Sequence, residues 1–89
     1  MRDVLPFKEE RICGRVFNRK FFSNTPKEEF KWHTDKEDRI IIPLSENNWE
    51  FQLDNQLPIK IDSPIKIKKG EWHRLIKGSG NLYIKVIKL

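Results

Sequence analysis

With 89 residues, 37% of them hydrophobic and 35% charged, the chain has material for one small core and none for a second. Its net charge of +5, with both signs mixed throughout, favours an anionic partner over a membrane or an acidic-tail role. A single cysteine, Cys13, rules out an internal disulfide and suggests a reducing compartment. The start, Met1-Arg2-Asp3-Val4-Leu5-Pro6, carries no apolar leader, so a cytoplasmic protein is expected.

The first 27 residues give mixed signals. Arg11, Arg15 and Arg19 are spaced by four, which would stack them on one helix face. Ile12, Val16, Phe17, Phe21 and Phe22 form no helical stripe, however, and Gly14 weakens a helix. The better reading is a strand over about 12–22, with Cys13 as a small strand residue and not a nucleophile. Ser23-Asn24-Thr25-Pro26-Lys27 then forms a loop.

From residue 28 onward, short strands alternate with turns. Glu29–His33 alternates polar and apolar, and Arg39–Leu44 is a continuous apolar run. Ser45–Asn48 turns the chain into Trp49–Leu53, and Asp54-Asn55-Gln56 turns it again into Leu57–Ile61. Asp62-Ser63-Pro64 precedes Ile65–Ile67, Lys68-Lys69-Gly70 precedes Trp72–Lys77, and Leu82–Leu89 is the last strand. Gly78-Ser79-Gly80 lacks a following helix and predicts a hairpin turn, not a phosphate loop. Pro43 and Pro58 call for strand edges or bulges. The expected fold is all-β: one small antiparallel barrel or jelly roll, with 1–27 as an N-terminal strand or arm and 28–89 as the core barrel.

Both histidines follow a tryptophan, in Trp32-His33 and Trp72-His73. On extended backbone, neighbouring side chains point to opposite faces, so each pair puts a ring on one side and an imidazole on the other. Two such segments side by side would gather two histidines, a carboxylate and two arginines. His33 and Asp35 are two apart and share a face; with His73 they supply the residue types of a two-histidine, one-carboxylate metal triad.

Three segments carry a family resemblance: Trp32-His33-x-Asp35-x-Glu37-Asp38-Arg39, Trp49-x-Phe51-Gln52-x-Asp54-Asn55-x-Leu57-Pro58 and Gly70-x-x-His73-Arg74. Over residues 28–89 the chain resembles the cupins, double-stranded β-helix barrels, and in particular the very small cupin-like proteins of bacteriophages. Gly70-x-x-His73 matches the second cupin motif, with Lys68 where a proline is usual. Metal-binding cupins carry His-x-His and a glutamate six positions after the first histidine. Here Asp35 replaces the second histidine and Arg39 the glutamate.

An arginine in place of a ligand carboxylate disfavours a dication and favours an anion. The first expectation is therefore non-enzymatic binding of a small anionic, possibly nucleotide-type, ligand with no cofactor and no catalytic residue. Its pocket would use His33, Arg39, Gln52, His73, Arg74, Lys77 and Lys85. The phage resemblance implies sequestration of a host signal in the host cytoplasm. The alternative is a Fe(II) dioxygenase-like enzyme, or one using Mn, Ni or Zn, with His33, Asp35 and His73 as ligands. A single-stranded nucleic-acid groove built from Arg11, Arg15, Arg19, Lys20 and nearby phenylalanines ranks third, because acidic residues interrupt every basic run. Phe30 with Trp32, and Trp49 with Phe51, suit a sheet–sheet interface or the seam of a homodimer.

Overall fold

The computed structural model describes residues 6–89. Its eight strands are β1 (Phe7–Cys13), β2 (Val16–Phe21), β3 (Arg39–Pro43), β4 (Glu50–Leu53), β5 (Ile59–Lys60), β6 (Ile65–Ile67), β7 (His73–Ile76) and β8 (Leu82–Lys88). They form two antiparallel sheets, one ordered β1-β2-β8-β3-β6 and the other β5-β4-β7. Among the described residues, no helix is long and apolar enough to cross a membrane.

Period-two alternation sets the inner faces. Leu82, Ile84 and Val86 of β8 are buried while Tyr83 between them is exposed, and Ile65 and Ile67 flank an exposed Lys66 on β6. Ile41 on β3 and Phe51 on β4 complete the two facing surfaces, with Trp49 fully enclosed between them at 0% exposure. The rings make a connected set around Phe21: Phe7 at 5.2 Å, Phe30 at 6.0 Å and Trp49 at 6.1 Å between centroids. Such tilted contacts add to area burial by about 0.5–1.5 kcal/mol per pair.

Three local expectations are corrected. The single strand over 12–22 is a hairpin: β1 and β2 pair, and Gly14, at φ +47°, makes the turn with Arg15. That backbone region is open to glycine without steric cost, so the residue that weakened a helix is the one that reverses the chain. The strand expected over Glu29–His33 is absent. Pro26 leads instead into a single 3₁₀ turn, Lys27–Glu29, and Phe30 drops from it edge-on against Trp49, 5.2 Å away at 89°. A short alternating pattern matches a strand equally well when one ring simply reaches inward from a turn. The aromatic face proposed for a seam therefore serves the sheet–sheet interface, with Phe30, Trp49 and Phe51 packed inside.

Gly78-Ser79-Gly80 is not a hairpin turn, because β7 and β8 belong to different sheets. The segment crosses between the sheets and is clamped by Asn48. Ser79 N donates to Asn48 Oδ1 at 2.9 Å, Asn48 Nδ2 donates to Ser79 Oγ at 2.9 Å, and Trp49 Nε1 donates to Gly80 O at 3.1 Å. A Cβ on Gly78 would overlap the Asn48 side chain and lie 2.7 Å from its carbonyl carbon and oxygen. Backbone cannot yield as a flexible side chain can. Gly78→Ala is expected to lower stability by about 1–3 kcal/mol in denaturant unfolding, where an unchanged midpoint would refute the clamp.

Candidate metal centre and cavity

His33 and His73 are joined through their backbones. Each N–H donates to the other's carbonyl at 3.0 Å, the one bridge pairing of the 31–37 segment with β7. This pairing brings the two imidazoles to 4.3 Å between ring centroids. Trp32 and Trp72 are exposed on one side while the imidazoles lie on the other, His73 buried and His33 half-exposed at the cavity edge, as expected of neighbours on extended backbone. Asp35 follows two residues after His33, and its own carbonyl accepts from Gly70 N at 3.0 Å. The Lys68–Glu71 turn and the His33–Asp35 segment are thereby held together.

The imidazole orientations follow from their hydrogen bonds. His33 Nδ1 lies 3.0 Å from Lys31 O, and His73 Nδ1 lies 2.8 Å from Glu71 O. A carbonyl only accepts, so Nδ1 is the protonated nitrogen of each ring and Nε2 carries the lone pair of the neutral form. Both Nε2 atoms face Asp35, at 3.9 Å from Oδ1 for His33 and 3.2 Å from Oδ2 for His73. Ligand atoms of the three residues lie within 4.8 Å of one another. Asp35 is enclosed, with its side chain 6% exposed, and its Oδ2 has no aligned hydrogen-bond donor. Two lone pairs and a carboxylate in one small space repel unless a cation lies among them.

Part of that demand is met by Arg39. Its Nη1 stands 3.3 Å from Asp35 Oδ1, and its Nε donates to Glu37 Oε2 at 2.6 Å. Burial alone would raise the Asp35 carboxyl, but hydrogen bonding from His73, the charge of Arg39 and the charges of His73 and His33, the imidazoles acting in their protonated forms, outweigh it. The result is a pKa held below the ordinary 3.8.

A cavity of about 280 Å³ opens beside this group, between the two sheets. His33, Asp35, Arg39 and His73 line it; Gln52, Arg74, Lys77 and Lys85 do not. Gln52 and Arg74 are cross-strand partners whose parity opposes Phe51 and His73, so they lie on the outer face. There Arg74 Nε donates to Gln52 Oε1 at 3.0 Å, and its guanidinium stacks 4.7 Å from the Trp32 ring. Lys77 Nζ donates to Thr25 O at 2.7 Å, and Lys85 sits between the inward Ile84 and Val86, facing out. The site holds one of the two expected arginines, and that one is committed to two carboxylates.

The series read as a nucleic-acid groove is also dispersed. Arg15 binds the Lys88 and Leu89 carbonyls, Lys20 stands over the Phe22 and Tyr83 rings, and Arg19 and Phe21 turn into the cavity. Arg19 and Phe30 are among the cavity residues absent from the expected pocket. The alternation Phe17-Arg19-Phe21 would have marked Arg19 as inward, had β2 been separated from β1.

The chain matches no protein-family model and no curated protein. Its likeness to solved structures lies in shape. A cupin-2 domain-containing protein from Shewanella frigidimarina superposes with a TM-score of 0.65 at 14% identity, covering 99% of this chain and 83% of that one. An RmlC-like cupin family protein with a double-stranded β-helix fold, from Methanocaldococcus jannaschii, gives 0.64 at 17%, covering 99% and 84%. A cupin domain from Bordetella pertussis gives 0.60 at 13%, covering 92% and 88%. The fold is therefore that of the cupins, with a His33–Asp35–His73 group that could hold a metal ion.

The depressed Asp35 pKa has a definite sign in folding. A carboxyl whose folded value lies below its ordinary value of 3.8 contributes stability above that value. That contribution is lost as pH falls through the lower folded one. In metal-free protein, acid titration at fixed denaturant is expected to show a steeper loss of stability below about pH 4 than in Asp35→Asn. Parallel acid limbs would contradict the assigned environment.

Proposed function

We propose that this chain binds a small organic ligand at an open divalent-metal site, with His33, Asp35 and His73 as the protein ligands. The observation that carries the proposal is the pair of Nδ1–carbonyl hydrogen bonds, which turn both Nε2 lone pairs toward the buried Asp35 carboxylate, whose Oδ2 lacks an aligned donor. A metal-ligating histidine usually donates its other ring N–H to a carbonyl or carboxylate, which fixes the tautomer and the ring orientation. Two imidazoles and a carboxylate suit Fe(II), Mn, Ni or Zn, and three protein ligands leave positions free. All three residues line the cavity, so those positions would face it. When bound, the ion would act as a Lewis acid toward a ligand oxygen or as a site for oxygen.

The arginine that replaces the usual glutamate fits this reading. Arg39 contacts Asp35 Oδ1 while His73 faces Oδ2, so the guanidinium orients the carboxylate without taking the oxygen nearest His73. Cofactor-free binding of a nucleotide-type anion has less support. Its donors Arg74, Lys77, Gln52 and Lys85 lie outside the cavity, whose walls are mostly phenylalanine and aliphatic side chains. Sequestration of a host signal and homodimerisation are proposals resting on the phage-type resemblance and on the exposed Trp32, Trp72 and Leu57.

Purification without chelator, followed by elemental analysis, is expected to give about one divalent transition ion per chain. His73→Ala and Asp35→Asn should each weaken metal retention by more than the roughly 10–100-fold typical of losing an outer-shell partner. A metal-free protein that takes up none of Fe, Mn, Ni or Zn would overturn the proposal, as would metal retained equally by both variants. Predominant iron would favour the oxygenase form of the site.

A further inference from the structure

Arg19 is a permanent cation on the inner face of the barrel. On β2 it lies in register with Ile84 of β8 and Glu9 of β1, and its β2 neighbour on the same face, Phe21, is buried. Its side chain is only 14% exposed. Two contacts fix the guanidinium: its carbon lies 4.3 Å from the Phe7 ring centroid, and Nε donates to Glu9 Oε1. The two terminal nitrogens have no acceptor among the described residues, and the side chain lines the cavity.

A guanidinium carries a fixed charge, and donors with no protein acceptor that still reach the cavity are open to a ligand. Glu9 offsets part of the charge but occupies only the Nε edge. The free edge presents two parallel N–H vectors, the geometry that pairs with a carboxylate. Arg19 and the metal group stand at different ends of the cavity. β2 and β3 flank β8, which separates Arg19 from Arg39 by about 10 Å across the sheet. Along β8 the two arginines sit opposite Ile84 and Lys88. Between them the walls are apolar, with Phe21, Phe30, Phe51 and Val86. Glu29 and Lys31 also line the cavity and bring one charge of each sign.

We propose that Arg19 is the carboxylate anchor of this cavity, and that the ligand is a small ring-bearing monocarboxylate whose far end meets the His33–Asp35–His73 group. The identity of the far end rests on the metal reading; the anchor does not. A cavity of about 280 Å³ is at the lower bound for ligand sites, which suits a body of one ring and a short chain.

The test titrates benzoate, phenylacetate and 3-phenylpropionate, and the three matching amides, into protein of measured metal content. At least one acid is expected to bind, with its amide roughly 10- to 100-fold weaker. Arg19→Gln should bring that acid down to the level of its amide while metal content and thermal midpoint stay near wild type. Arg19→Lys, which keeps the charge and loses the fork, should fall between and carries the test if the glutamine variant does not fold. No binding by any acid, equal affinity for acid and amide, or undiminished acid binding in the folded variants would overturn the anchor. Failure of the metal reading looks different. Acid preference lost with Arg19 in a metal-free protein leaves the anchor and removes the metal, whereas bound metal without acid preference does the reverse.

Discussion

A carboxylate enclosed near the mouth of the barrel has to be matched by positive charge, and the arrangement around Asp35 follows from that requirement. An unpaired charge removed from water is far too costly for a small domain, since native proteins are stable by only roughly 5–15 kcal/mol. Arg39 takes one oxygen, two imidazoles converge on the group, and burial is offset enough to leave the acid more acidic than usual. Each of these partners is itself restrained: Arg39 by Glu37, His33 by Lys31 O and His73 by Glu71 O. The tautomer of both rings is a consequence of backbone position and not of the site's own chemistry.

The barrel makes this possible by keeping its apolar packing to one side. Trp49, Phe51, Leu82 and Val86 fill the interior, and the rings around Phe21 carry that packing to the cavity wall. The polar group then occupies the one place where the irregular 31–37 segment meets β7. The His33–His73 pairing is short, a single bridge, yet it aligns both imidazoles with Asp35.

Arg39 shows how a residue's partners in the fold bear on its role. Its fixed charge argued for an anion, since an arginine beside a metal repels it. In the fold that charge is paired with Asp35 and Glu37. Arg74, which looked equivalent in sequence, is one residue out of phase with His73 and stacks on Trp32 outside. Arg19, which looked like part of a basic surface series, is the guanidinium that faces the cavity with donors to spare.

By itself the sequence determined the all-β class, most of the strands from residue 39 onward, and the shared face of His33 and Asp35, while the pairing that brings His73 to them is tertiary. These depend on alternation and on i, i+2 spacing, which are local properties of extended backbone. It could not determine that residues 7–21 form a hairpin, that Gly78–Gly80 crosses between sheets, or which of several arginines look inward. Those outcomes turn on which strands pair and on which side of each sheet the other lies. A one-residue change of phase reverses every side chain on a strand, and only the packing of the two sheets chooses the phase.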